Sequence, residues 1–170
     1  MAVLNKKQIL LMGIVDEAEI DEIQFTPNGI DVTLKEVYKH GEEPGLVDFD
    51  NKKRKLPDAI KQIPNEKEEY LLSSGTYMVE LNEKIKLPKN IIANIYPRSS
   101  LCRCGATTQS GVWDAGYFGS GAIQLIVNNP AGIILTKRAR IAQMIFVKMM
   151  DEAHTGYDGV YQGGENHQSE

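Results

Sequence analysis

Apolar positions recur at every second residue along most of this chain, the spacing of half-buried β-strands. Ile30, Val32 and Leu34 alternate with Asp31, Thr33 and Lys35 in a segment running from Phe25 to Tyr38. Tyr77, Val79 and Leu81 alternate with Thr76, Met78 and Glu80, and Asn82 follows as a turn residue, so the stretch from Tyr70 to Leu87 reads as two short strands. Ile91 to Tyr96 is β-branched and mostly apolar and predicts a buried strand. Ile123, Leu125 and Val127 share one face of another, and Asn128 to Gly132 is a strong turn signal. Ile133 to Leu135 and Ile141 to Lys148 complete the set. Helical spacing is confined to the start, where Asn5 caps a short helix carrying Ile9, Leu10 and Met12 that ends near Gly13. Asp16 to Glu22 predicts an exposed turn leading into a strand. Many short strands separated by turn residues predict an all-β fold, a barrel or a double sheet.

Two segments break this rhythm. His40 to Glu69 mixes Gly, Pro and charge, with Leu46, Val47 and Phe49 as a candidate short strand. Its basic run, Lys52 to Lys55, lies among acidic residues and reads as a solvated loop rather than a nucleic-acid patch. From about residue 152 the chain is Gly-rich and polar, a composition that predicts a flexible tail.

At 170 residues the chain is expected to form one domain, 1–170, with a sizeable core. A net charge of −4 gives no reason to expect nucleic acid as a partner. No apolar run approaches the roughly 18 residues that cross a bilayer. Ile9 to Met12 is too short for the core of a signal peptide, so a cytoplasmic protein is expected. Cys102 and Cys104 stand too close for an easy disulfide and supply half a zinc site; they read as buried residues of a short helix.

The candidate chemistry is concentrated between Tyr96 and Tyr117. Leu101 to Cys104 can wind into a short helix stopped by Gly105, with Ser99 or Ser100 as its cap. Free backbone N–H groups at such a start suit an anion, phosphate above all. Ser99 and Arg103, four apart, share a helical face and can grip one polyphosphate. Gly111, Gly116 and Gly119 suit the tight conformations of a β-hairpin. In it Asp114 sits beside Trp113, where a carboxylate can hold a water for attack, and Tyr117 offers a flat ring to a sugar or base.

Pro97-Arg98-Ser99-Ser100-Leu101, then Gly111-Val112-Trp113-Asp114-Ala115-Gly116-Tyr117-Phe118-Gly119, then Arg140-Ile141-Ala142-Gln143-Met144, in this order, resemble the motifs of the superfamily of homotrimeric dUTPases and dCTP deaminases. Pro27 to Leu34 resembles its early Asp-containing strand, and Tyr157 to Gly163 its deaminase-type tail. The resemblance implies a distorted β-barrel or jelly roll with short helices, a deoxynucleoside triphosphate as ligand, Mg²⁺ bound mainly through the phosphates, and homotrimers with sites between subunits. It implies that Ser99 and Ser100 hold phosphates, that Arg98 stabilises the site electrostatically, and that Arg103 meets phosphate or orders the site. Gln143 would donate to a phosphate oxygen, and the backbone at Gly111 and Val112 would read the base. Tyr117 would stack under the deoxyribose. Asp31 would hold a water of the Mg²⁺ shell or support the site. Asp114 would be general base for a water attacking the α-phosphorus of dUTP, giving dUMP and pyrophosphate. Tyr157, Tyr161 and Gln162 are the tail's candidate contacts, although no arginine opens that tail.

Gln124 separates two enzyme classes. Deaminases of this superfamily place at that position a Glu that shuttles protons at the cytosine ring, and an amide cannot replace it. Hydrolysis of dUTP is therefore expected in preference to deamination of dCTP. A nucleotide-binding protein without turnover is the third class, opposed by the intact Asp114.

Overall fold

The computed structural model describes residues 2–164; the last six residues of the expected tail, 165–170, lie outside them. In chain order the elements are β1 (Ala2–Val3), α1 (Lys6–Leu11), a 3₁₀ turn (Glu22–Gln24), β2 (Phe25–Thr26), β3 (Gly29–His40), β4 (Ala59–Lys61), β5 (Glu69–Leu72), β6 (Gly75–Leu81), β7 (Ile85–Lys86), β8 (Ile91–Pro97), α2 (Ser99–Arg103), β9 (Ala106–Gln109), β10 (Phe118–Gly119), β11 (Ala122–Val127), β12 (Ile133–Thr136) and β13 (Arg140–Lys148). The all-β expectation holds: among the described residues nine strands form a curled antiparallel sheet, a half-barrel, and β5 with β12 and β7 with β10 form two further two-stranded sheets.

α1 forms because Asn5 and Gln8 close a capping box, each side chain accepting from the other's backbone N–H at 3.1 and 3.0 Å. It buries Ile9, and Gly13 ends it at φ +62°. Two strands organise the rest. β13 pairs with β8 from Ala142 to Lys148 and with β3 through Arg140–Met144. β3 leaves β13 after Thr33 and continues along β6, with register shifts between Leu34 and Glu36 and between Arg140 and Ala142. Such irregularities bend a strand, and here they let one strand serve both parts of the curled sheet. Most of the buried apolar side chains, from Leu4 to Phe146, form one cluster.

Four expectations need correction. Asp31 and Thr33 do not face water: every residue from Gly29 to Leu34 is buried, because other elements cover the polar face of β3 as well. Leu46, Val47 and Phe49 add no strand. A single bridge, Leu46 with Lys55, closes an excursion that leaves Val47 and Phe49 exposed, there being no adjoining strand for them to pack on. Residues 111–119 are an irregular loop rather than a hairpin. Trp113 bridges Ala93 on β8, while Phe118 and Gly119 pair with β7, so the two ends bind different strands. Cys102 and Cys104 are exposed, since α2 buries only Leu101.

Candidate active site

The residues singled out in the sequence fall into two groups. The first is cationic and is built on the junction of β3, β8 and β13. Cross-strand register sets Gln143 opposite Asp31 on one side and Tyr96 on the other. Asp31, only 4% exposed, pairs with Arg98 Nε at 2.9 Å and Arg140 Nη1 at 3.2 Å. Both arginines use Oδ2, and Oδ1 has no donor among the described residues. Burial pushes the Asp31 carboxyl up from its ordinary value, and the two guanidiniums pull part of that back.

Arg98 is held further by donating to the carbonyl of Arg140 at 3.1 Å. It is also the residue that starts α2. Ser99 is the first helical residue, and neither serine caps the helix, because the chain turns helical one residue earlier than a serine cap requires. Ser99, Ser100 and Arg103 are exposed, and the first N–H groups of α2 have no intrahelical acceptor. Gln143 Nε2 donates to Thr26 Oγ1 at 2.6 Å and reaches Asn28 Oδ1 at 3.5 Å, so it already bridges β13 to the β2–β3 turn.

The second group lines a cavity of about 430 Å³. Gly111, Val112, Trp113, Asp114 and Tyr117 form one wall, and Tyr157 and Tyr161 of the tail form another. Trp113 fixes the loop through reciprocal backbone bonds with Ala93 at 2.9 and 3.0 Å. Its ring lies so close over Gly121 that a β-carbon there would stand 2.4 Å from the indole. Tyr117 meets Trp113 and Tyr157 edge-on, at 5.1 and 5.6 Å between ring centres, and donates its hydroxyl to Ser120 O at 3.0 Å. Burial, then the neighbouring Tyr157, push that hydroxyl up to about 12, so it stays protonated. Asp114 is exposed, and its carboxylate has no hydrogen bond or ion pair among the described residues. It also borders a second cavity, bounded by residues 153 and 155–159 of the tail.

Composition suggested a loose tail, yet residues 156–164 lie along this loop. Tyr157 N donates to Ala115 O and Gly163 N to Phe118 O. Gln162 accepts from Phe118 N at 3.0 Å and donates to Gly116 O and Tyr157 O at 3.1 Å. Gly116, at φ +87°, lets the tail approach: a β-carbon there would stand 2.6 Å from Gly156 Cα.

Asp31, Arg98, Ser99, Ser100, Arg103 and Gln143 line neither cavity. Within one chain the two groups stay apart. Gln124 is exposed on β11 and lies outside the cavity wall, although Ala122 on the same face and its cross-strand partner Met78 belong to it.

His40, Leu56, Pro57, Ala59 and Met78 also line the cavity, and no motif or spacing points to them. Glu83 was also missed. This buried carboxylate accepts from Gln24 Nε2 at 2.7 Å and Thr33 N at 2.9 Å, and Gln24 in turn donates to Asp31 O. It thereby braces the strand that carries Asp31. Neither set stands in a local motif; cross-strand register assembles them.

Residues 4–149 match the family model described as dCTP deaminase-like. A Methanosarcina mazei protein named probable deoxyuridine 5'-triphosphate nucleotidohydrolase is 47% identical over 150 residues, 88% of this chain and 86% of the relative. The deoxyuridine 5'-triphosphate nucleotidohydrolase of Methanocaldococcus jannaschii is 42% identical over 145 residues, 85% of this chain and 90% of the relative. Among solved structures, the 2'-deoxycytidine 5'-triphosphate deaminase of Agrobacterium tumefaciens has a similar fold, with a TM-score of 0.63 and 22% identity over 85% of this chain. The match spans 47% of that deaminase chain.

Proposed function

Because the chain belongs to the dCTP deaminase-like family, and its relatives named above are nucleotidohydrolases, we propose that it hydrolyses dUTP to dUMP and pyrophosphate. The observation that carries the reading is Asp114, an uncommitted carboxylate on the wall of a cavity otherwise lined mainly by apolar and aromatic side chains.

The nucleoside occupies that cavity. Backbone groups at Gly111 and Val112 read the base, and Tyr117 packs against the deoxyribose, leaving no room for a 2'-hydroxyl. Asp114 takes a proton from a water that attacks the α-phosphorus. The bond from that phosphorus to the bridging oxygen breaks, and pyrophosphate leaves. Such transfers need mainly positioning and charge neutralisation. Arg98, Arg103, the Ser99 and Ser100 hydroxyls and the first N–H groups of α2 supply these to the phosphates. Gln143 adds an amide N–H, freed when its long contact with Asn28 gives way.

Mg²⁺ fits this donor set as a phosphate-bound ion rather than one caged by protein. Among the described residues no three metal-ligating side chains cluster, while Asp31 Oδ1 is available to accept from a metal-bound water. When bound, the ion offsets charge on the phosphates.

The two groups meet between subunits: one protomer provides the cavity and Asp114, and its neighbour provides Asp31, Arg98, the α2 start and Gln143. A homotrimer closed by rotational symmetry does this for every site. A cytoplasmic location belongs to the same proposal; among the described residues no helix is long and apolar enough to cross a membrane. Tyr157, Tyr161 and Gln162 make the tail the cover of the cavity.

Deamination of dCTP is the competing reaction, and Gln124 opposes it, since its amide is no acid or base near neutral pH. The test measures pyrophosphate and ammonia released from dUTP and dCTP with Mg²⁺. Pyrophosphate from dUTP without ammonia from dCTP is expected; ammonia from dCTP at a matching rate overturns the assignment. Gln124→Glu restores one proton-transfer group only and should give weak deamination at most.

A further inference from the structure

We propose that Arg54 is a positioning residue that holds Tyr161, and through it the C-terminal tail, across the cavity. The inference rests on the reading of that cavity as the nucleoside site.

Arg54 belongs to the excursion between β3 and β4, which the bridge between Leu46 and Lys55 closes through backbone bonds of 2.7 and 2.9 Å. Its guanidinium carbon lies 5.7 Å from the centre of the Tyr161 ring, within range of a cation–π contact. Tyr161 lines the cavity from the tail, and Leu56 and Pro57, just beyond Arg54, line it from the excursion. Arg54 thus stands at the seam between two walls contributed by segments about a hundred residues apart in sequence.

Arg54 differs from Lys52 and Lys55 in its partners. Lys52 pairs with Asp50 at 2.6 Å and Lys55 with Glu43 at 3.0 Å, whereas Arg54 has no carboxylate partner among the described residues. Between Lys148 and Gly164 the chain has no lysine or arginine and carries Asp151, Glu152 and Asp158. A tail of that charge is poorly suited to lie beside a polyphosphate on its own. A guanidinium from the excursion both stacks on the tail's aromatic ring and offsets its acidity. Arg54 on Tyr161 thus adds a hold from the excursion to those that Tyr157, Gln162 and Gly163 make on the 115–118 loop.

The test uses the full chain with Arg54→Ala, Arg54→Lys, Tyr161→Leu and the double variant Arg54→Ala/Tyr161→Leu. Arg54 lies on an exposed excursion outside the core cluster, so its variants should fold. Loss of the contact should raise KM for dUTP by about three- to fivefold, with a smaller change in kcat. Amide exchange at Gln162 and Gly163, measured without nucleotide, should quicken to a similar degree. Arg54→Lys should recover part of both effects, and the double variant should be no worse than either single one. Wild-type KM and wild-type exchange in Arg54→Ala, or single effects that simply multiply in the double variant, overturn the proposal. Should the wild type leave dUTP intact while Arg54→Ala still loosens the tail, the nucleotide reading fails and the clamp stands.

Discussion

Asp114 and Asp31 are both carboxylates in recognisable motifs, yet their surroundings differ, and so do the roles proposed for them. Asp114 is exposed and uncommitted. Asp114→Asn should therefore keep nucleotide affinity and lower turnover by about 10²–10⁴-fold, the usual worth of a general base. Binding and turnover measured on one preparation check this, and turnover within tenfold of wild type would remove Asp114 from the role. Asp31 is buried between two arginines with its carboxyl pushed up. A raised carboxyl favours the folded state in its protonated form. Its contribution to stability is full below the ordinary value of 3.8 and is lost as pH rises through the raised value, so at neutral pH the charged group costs stability. Asp31→Asn should accordingly leave thermal stability near neutral pH nearly unchanged, because both arginines reach solvent. It should still weaken triphosphate more than monophosphate, by releasing Arg98. A large loss of stability with unchanged dUTP affinity would make Asp31 a folding residue only.

At the scale of elements, period-two spacing made most strands legible, because a half-buried strand writes its burial into alternate residues. Tyr77, Val79 and Leu81 are buried as that spacing requires. The spacing failed on the first half of β3, where both faces are covered, and on residues 111–119, whose ends pair with different strands. It was silent on β4, a short strand with exposed side chains that pairs with the end of β3. Backbone hydrogen bonds and one glutamine hold residues 156–164 to the loop, and composition does not report those. Gly116 tests that docking. Gly116→Ala puts a β-carbon against Gly156 at a positive φ and should cost at least about 1 kcal/mol, with faster amide exchange across 156–163 and a higher KM. Deleting residues from Asp158 onward should lower turnover, and kinetics unchanged by the deletion would rule out a cover.

At the scale of the whole molecule, local motifs carry both halves of the proposed site: the PRSSL segment for the cationic half, and the loop through Asp114 for the cavity half. Their separation in space was not readable, since it depends on how β13 joins β3 and β8 on one flank while Trp113 anchors the loop on another. That separation makes a site completed between protomers the central claim, and mixed oligomers test it most directly. Asp114→Asn and Arg98→Ala protomers, each nearly inactive alone, are to be co-assembled in equal amounts and assayed for pyrophosphate release from dUTP. If a site takes Asp114 from one protomer and Arg98 from its neighbour, about one site in four is intact and activity returns to about a quarter of wild type. Activity no higher than that of the separate variants would contradict a shared site.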